Sequence, residues 1–297
     1  MMFLRKCNPV VVGYIRVAGA RQKYPPALLF QQRRQALGPI QREFFFKPAV
    51  QDAVRADIGS AVAGIPDDGG DWAFISSGTW SLVGTPLPVP CLSEAAFRHN
   101  FSNEGGLGGS VRFLKNVNGM WLIEECLRFW REKQADWKLG DLIHACGQLD
   151  VPDCILSVDD PELMLSQRMP DRINSVLCRQ GHAELSTHPS MAPQFANLIF
   201  HSLAQRYAEI LQQMSQVSGK TIRRLFIVGG GSQNEYLNGL IRRQCGLELI
   251  RGPVESSTIG NAAVQLAVLD GSVEPKWGVR AEAVASWSRA IAAPVQV

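Results

Sequence analysis

Residues Ile222–Asn234 read IRRLFIVGGGSQN, and this stretch decides the fold class of the chain. Ile222–Val228 has the apolar run of a buried β-strand, and the three glycines after it predict a tight turn. From Asn234 to Cys245 apolar side chains recur at helical spacing, and Gly246 ends that pattern. A strand, a glycine turn and a helix therefore follow one another directly.

The same alternation continues towards the C-terminus. Leu247–Ile250 is predicted to be a second strand, and a helix of small residues is predicted from about Ser257 to Asp270. Alternating strands and helices are typical of a sheet with helices packed against it. We therefore predict an α/β fold.

A β-hairpin is predicted further upstream. Asp71–Ser76 and Trp80–Gly84 are apolar segments on either side of Ser77-Gly78-Thr79, and prolines at positions 86, 88 and 90 end the hairpin. A tight turn exposes backbone N–H groups and neighbouring hydroxyls add donors, so this turn could hold phosphate oxygens. A plain hairpin turn without a ligand explains the same residues.

The middle of the chain is predicted to be mostly helical. Residues 100–110 contain four glycines and are predicted to be a loop. The next helix has an apolar face made of Met120, Ile123, Leu127 and Trp130. The clearest helix has Pro193 in its first turn and Gly219 just past its end.

Composition excludes several classes of protein. The 297 residues are 46% hydrophobic and 19% charged with a net charge of +3, which is ordinary for a folded domain. No run approaches the roughly 20 apolar residues of a membrane span. The seven cysteines form no C-x-x-C pair, which argues against a zinc module and a disulfide-stapled fold. Free thiols in a cytoplasmic protein are expected.

The basic residues are concentrated at the N-terminus. Residues 1–55 contain ten Lys and Arg against two acidic residues, a net charge of +8, and the remainder carries −5. A basic arm can bind nucleic acid. Here the charges follow no helical stripe and are interrupted by prolines, so residues 1–50 are predicted to be a leader or linker, with no nucleic-acid or membrane partner.

Two further features could carry chemistry. Glycines between a buried strand and a helix allow a nucleotide to approach the backbone, although Gly229-Gly230-Gly231 matches neither the G-x-G-x-x-G nor the P-loop pattern, and a structural turn is the alternative. Asp57 lies among small residues and could accept a proton from a substrate hydroxyl. Alone, such a carboxylate is more often a helix cap.

These features occur in one order along the chain, and together they resemble the C-terminal half of the FGGY carbohydrate kinases over about residues 50–275. The matching segments are Asp57, Ser76-Ser77-Gly78-Thr79-Trp80, Asn103-Glu104-Gly105-Gly106, Leu114-Lys115-Asn116, Gly119-Met120-Trp121-Leu122, Val228–Asn234 and Gly252–Asn261. The resemblance implies an actin-like, ribonuclease-H-like ATPase domain over residues 51–297, with a mixed sheet flanked by helices.

The resemblance also implies roles for individual residues. Asp57 matches the family's catalytic base, with Ala56 and Ile58 beside it at the sugar, and Asn116 matches a sugar contact. The ATP contacts that it implies are Thr79, Glu124, Gly229, Gly230 and Gly231. The implied cofactors are ATP and Mg²⁺, since phosphoryl transfer needs charge neutralisation and one base near the nucleophile.

Two departures from the family pattern bear on these roles. Family members usually have His-Asp-Thr around the base, where this chain has Ala56-Asp57-Ile58. Glu124 stands where a Gln contact to ATP is expected, and its carboxylate would repel phosphate unless it is protonated or shared with the metal. At about 100° per residue, Glu124 is predicted to lie about 80° around the helix from Asn116, so both side chains are expected to face one side.

The expected activity is that of the family members that phosphorylate L-rhamnulose, or a similar ketose, at the 1-hydroxyl. Nothing in residues 1–50 resembles the family's first domain, so we expect that domain to be missing from this chain. The alternative is an inactive remnant that binds nucleotide or nothing. A lone half-domain would expose its interdomain face, so self-association is also expected.

Overall fold

The computed structural model of the chain describes residues 57–66, 69–274 and 278–292, and at Asp57 and Ile58 the description is confined to the backbone. The predicted leader over residues 1–50 and the predicted contact residue Ala56 lie outside these ranges.

Strands and helices alternate over residues 224–269, as the sequence predicts, whereas upstream of them several helices follow one another directly. The strands are β1 (Trp72–Ser77), β2 (Trp80–Leu87), β3 (Ser102–Gly105), β4 (Val111–Asn118), β5 (Arg224–Val228), β6 (Glu248–Arg251), β7 (Val273–Glu274) and β8 (Gly278–Val279). The α-helices are α1 (Asp57–Ala63), α2 (Glu94–Arg98), α3 (Trp121–Glu132), α4 (Leu139–Cys146), α5 (Met169–Arg179), α6 (Ala192–Ser218), α7 (Glu235–Cys245), α8 (Ser256–Leu269) and α9 (Ala281–Ala292).

Six strands form one mixed sheet in the order β3-β4-β2-β1-β5-β6. β1, β5 and β6 run parallel, and β2 and β4 pair antiparallel beside β1. Ser76 of β1 lies opposite Val228 of β5, so both strands end at the same edge of the sheet. β2 begins at this edge, which we call the turn edge.

The two faces of the sheet have separate cores because strand side chains alternate. Ala73, Ile75 and Val83 belong to the main core, together with buried residues of α3 to α7. Phe74 and Leu82 belong to a smaller cluster on the other face, which Ile65 joins just after α1. Helices therefore flank the sheet on both faces.

Several predicted elements are confirmed. The hairpin forms from β1 and β2, and α6 has its proline in the first turn and Gly219 in the left-handed conformation at its end. The side chain of Asn234 caps α7, which Gly246 terminates with φ of 64°.

The loop predicted for residues 100–110 is wrong in part. β3 occupies Ser102–Gly105, a short 3-10 helix follows at Leu107–Gly109, and β4 then begins at Val111 as an eight-residue strand. Pro86 does not end the hairpin either, since it lies within β2 opposite Arg112. β3 is short, lies at the sheet edge and contains no buried residue, so only its pairing with β4 identifies it as a strand.

α1 and α8 cross at a separation that requires glycine. A Cβ atom at Gly260 of α8 would lie 1.9 Å from the Ser60 carbonyl oxygen, and one at Gly64 would lie 2.2 Å from the Ser256 carbonyl oxygen. The Ser256 hydroxyl donates to the Ala61 carbonyl at 2.7 Å, so one of the last carbonyls of α1 is satisfied by α8. The short helix α1 is therefore held by α8.

No helix in the ranges that the structure describes is long and apolar enough to cross a membrane.

We predict that Gly260→Ala destabilises the protein by about 1–3 kcal/mol or more, because backbone atoms of α1 must move to admit the methyl group. Gly239→Ala in α7 is the matched control. There the nearest atom to a Cβ is the end of the flexible Arg243 side chain, 3.5 Å away, so alanine should be neutral or stabilising by up to about 1 kcal/mol. Urea unfolding of both variants measures the difference, and equal stabilities would contradict the close crossing.

Lys220, two residues after the end of α6, is hydrogen-bonded to the end of β2. Its Nζ donates to Thr85 Oγ1 at 2.7 Å and to the Pro86 carbonyl at 2.8 Å, and Thr85 Oγ1 in turn donates to the Trp72 carbonyl. Burial lowers the pKa of Lys220 to about 8. Between pH 8 and the ordinary lysine value, the unfolded chain therefore binds a proton that the folded chain has lost.

We predict that the free energy of unfolding of the wild type, relative to that of Lys220→Met, rises with pH. Between pH 7.5 and 9.5 this difference in free energy of unfolding should grow by on the order of 1 kcal/mol. The value is smaller than the pKa shift alone would give, because the ammonium group is partly solvated. Comparing the two denaturation midpoints at each pH removes the contribution of other titrating groups. A difference that stays constant with pH would show that Lys220 is not held as described.

Candidate nucleotide site

The hairpin turn between β1 and β2 is held by hydrogen bonds to its backbone carbonyl groups. The amide of Met120 donates to the Gly78 carbonyl at 3.0 Å, and that of Trp121 donates to the Thr79 carbonyl at 2.9 Å. These bonds satisfy two amides at the start of α3 and attach the helix to the turn. The side chain of Thr79 remains exposed at the turn edge.

The triple-glycine turn follows β5 at the same edge and packs against the end of β1. A Cβ atom at Gly231 would lie 2.0 Å from Ser77 Oγ, and one at Gly229 would lie 2.7 Å from the Ser77 carbonyl oxygen. Gly229 also has φ of 84°, a conformation that favours glycine. Gly230 differs, because nothing lies within 4 Å of its Cβ position.

The hairpin turn that bears Thr79 and the triple-glycine turn therefore lie at the same sheet edge, with Ser77 packed against Gly229 and Gly231. Two of the glycines are needed for packing, and the third presents its backbone to open space. The backbone N–H groups of a glycine turn and an exposed hydroxyl at the same sheet edge can donate hydrogen bonds to the oxygens of a phosphate chain. This arrangement fits ATP.

Buried polar side chains support the glycine turn, and the sequence analysis did not identify their role. Asn234 Oδ1 accepts from the Leu237 amide, and Asn238 Nδ2 donates to the Ser232 carbonyl at 2.8 Å. Ser232 Oγ, Asn234 Nδ2 and Asn238 Oδ1 are buried and have no hydrogen-bond partner among the described residues. The amide side chains at positions 234 and 238 are the sequence signal that could have indicated this support.

The predicted relation between Asn116 and Glu124 is wrong. Asn116 is not helical: it lies in β4 opposite Leu82, with its side chain exposed on the face of the smaller core. Glu124 is exposed in the first turn of α3, on the other face of the sheet. An angle around one helix therefore cannot relate the two side chains.

Glu124 nevertheless lies near the hairpin turn. It is three residues after Trp121, which is bonded to Thr79, so it is displaced by about 4.5 Å along the helix axis. The amino end of a helix favours a carboxylate there. Glu124 therefore has a structural explanation as well as the predicted role at ATP.

Asp57 is the first residue of α1. One segment connects this helix to the glycine turn: the Gly229 amide donates to the Pro253 carbonyl at 3.3 Å, and the hydroxyl of Ser256 holds the Ala61 carbonyl. The helix that bears the predicted base is thus tied to the predicted nucleotide turn. Ile58 follows Asp57 in α1, and the roles of both side chains stay predictions.

The described residues contain no cluster of three or more His, Cys, Asp or Glu side chains that could hold a metal ion. Mg²⁺ is commonly bound through one or two carboxylates together with substrate phosphates, so a dedicated protein cage is not required for it.

Comparisons with known proteins agree with this geometry. The sequence model for the C-terminal domain of the FGGY family of carbohydrate kinases matches residues 73–269. A rhamnulokinase from Enterobacter sp. (strain 638) is 38% identical over 214 residues, covering 72% of this chain and 42% of that protein.

Two solved structures share the fold. The xylulose kinase from Bifidobacterium adolescentis matches with a TM-score of 0.50 at 20% identity, over 79% of this chain and 46% of that one. The ligand-bound xylulose kinase from Lactobacillus acidophilus matches with a TM-score of 0.51 at 12% identity, over 77% of this chain and 47% of that one.

The chain spans less than half the length of these three relatives. Its mixed sheet with helices on both faces is the actin-like ATPase fold of the sugar kinases, which confirms the predicted fold class. Because the family model matches more than half of the chain, the chain belongs to the FGGY family of carbohydrate kinases.

Proposed function

We propose that this chain takes part in the transfer of the γ-phosphoryl group of ATP to the 1-hydroxyl of L-rhamnulose or a similar ketose. The observation that carries the proposal is the pair of turns at one sheet edge, with open space over Gly230 in one turn and Thr79 exposed in the other. The choice of sugar is supported by the similarity to a rhamnulokinase.

In this proposal the turns position ATP, with Thr79 and residues 229–231 along its phosphates. Mg²⁺, when bound with ATP, neutralises charge on the phosphates. Asn116 and residues 56–58 face the sugar. Asp57 takes the proton from the 1-hydroxyl, whose oxygen bonds to the γ-phosphorus as the bond to ADP breaks. The free thiols of the six described cysteines fit a cytoplasmic location.

A second candidate is a chain that binds nucleotide without transferring phosphate. Two features favour it. The exposed carboxylate of Glu124 lies close to the proposed phosphate turn, and Ala56 and Ile58 provide no polar group beside the base. The two candidates differ in turnover and agree in ATP binding.

We predict saturable binding of Mg·ATP that tightens when L-rhamnulose is present, measured by calorimetry. Gly230→Val should abolish binding without unfolding the chain, because its side chain enters open space where the nucleotide would lie. Gly140→Val is the matched control, since its Cβ also meets nothing within 4 Å and it lies on α4. Asp57→Asn should keep ATP binding and lose at least about a hundredfold in turnover.

The outcomes separate the candidates. Binding with no turnover in wild type supports the second candidate. Binding that survives in Gly230→Val would show that the nucleotide does not lie at the glycine turn. No binding by folded wild-type protein at millimolar Mg·ATP would overturn both candidates.

We predict that Glu124→Gln tightens Mg·ATP binding by about two- to fivefold, since roughly 0.5–1 kcal/mol of charge repulsion is removed. Glu132→Gln is the control: it removes the same charge from the far end of α3. The gain should shrink as salt is raised, because exposed charges are screened. Weaker binding of Mg·ATP by Glu124→Gln would instead indicate that the carboxylate holds the metal.

A further inference from the structure

A buried hydroxyl pair lies directly beneath the hairpin turn. Ser81 Oγ and Tyr207 Oη are 2.6 Å apart, and the two residues are 0% and 1% exposed. Ser81 is the second residue of β2, and Tyr207 lies in the middle of α6. Nothing in the proposed function uses this pair.

Ser81 contacts the segment that fixes one side of the turn. A Cβ atom at Gly119 would lie 2.7 Å from both Ser81 Oγ and the Gly78 carbonyl oxygen. The two residues after Gly119 make the amide bonds to the turn carbonyls. The hairpin turn, the start of α3 and Ser81 are therefore packed into one contact.

Ser81 also lies next to the residue on which the glycine turn rests. Ser77 and Ser81 are cross-strand partners at the end of the hairpin. Gly231 approaches the side chain of Ser77, and Gly229 approaches its carbonyl. A continuous series of contacts thus leads from α6 through Ser81 and Ser77 to the glycine turn.

The Tyr207 hydroxyl is suited to hold this position. Burial raises the pKa of Tyr207 well above its usual value, so the hydroxyl keeps its proton at physiological pH. Its hydrogen bond to Ser81 joins elements 126 residues apart in the sequence. Loss of the tyrosyl hydroxyl would leave the buried Ser81 Oγ without this partner, which favours movement of the hairpin end.

We propose that Tyr207 is a positioning residue of the nucleotide site. Through Ser81 it fixes the end of the hairpin, which carries the hairpin turn and against which the glycine turn packs. The effect on nucleotide binding rests on the proposed function, whereas the effect on the hairpin does not.

Tyr207→Phe tests the proposal, since it removes the hydroxyl and keeps the ring. Ser202→Ala is the matched control on the same helix. The Ser202 hydroxyl is also buried, donates to the Leu198 carbonyl and accepts from the Leu156 amide, and both partners lie outside the hairpin. Both variants should lower the unfolding midpoint to a similar degree.

Two measurements distinguish positioning from general stability. In nucleotide-free protein, Tyr207→Phe should speed hydrogen exchange of amides 76–82 by about five- to tenfold, the effect of one net hydrogen bond, and Ser202→Ala should not. Mg·ATP affinity should fall by a similar factor in Tyr207→Phe alone. Ser81→Ala with Tyr207→Phe should bind no more weakly than Tyr207→Phe, because the two hydroxyls act as a unit.

Equal rates of amide hydrogen exchange at residues 76–82 in the two variants would overturn the proposal. Faster exchange in Tyr207→Phe with unchanged Mg·ATP affinity would overturn it too. If wild-type protein binds no Mg·ATP, the proposed function fails together with the nucleotide part of this inference. The exchange comparison then decides by itself whether Tyr207 holds the hairpin.

Discussion

The parallel pairing of β1 with β5 is the constraint on which the candidate site depends. Because Ser76 lies opposite Val228, the chain must leave two neighbouring strands at the same point of one edge. The turn after β5 then has to lie against Ser77, and Gly229 and Gly231 allow this because they have no side chain there. Gly230 is not needed for that packing, and its backbone faces open space.

The sequence predicts the elements whose signals are local. α6 and α7 were predicted because an apolar periodicity and the terminating Gly219 and Gly246 all occur within one segment. β3 and β4 were not predicted, since their strand character comes from pairing with each other and with β2. For the same reason Asn116 was predicted to share a helix with Glu124, although it belongs to β4.

The residues of the candidate site also differ in whether the sequence alone identifies them. Thr79 and Gly230 could be identified because each lies in a short motif whose order along the chain resembles a known family. Ser81 and Tyr207 could not, because their hydrogen bond joins residues far apart in sequence and no local pattern marks either one. Asn238 is intermediate: its amide is visible in the sequence, but its bond to the Ser232 carbonyl depends on the fold of the turn.

Phosphoryl transfer requires the base and the γ-phosphate to be held at a fixed separation, because small displacements are costly in rate. In the proposed function, that separation depends on how the helix that begins at Asp57 is connected to the glycine turn. The Pro253 carbonyl accepts from the Gly229 amide, and three residues later Ser256 holds α1 at Ala61. Gly64 and Gly260 allow α1 and α8 to come into backbone contact because they carry no side chain. The relation between the glycine turn and the helix that begins at Asp57 is therefore set within the described part of the chain, by contacts that need no bound ligand.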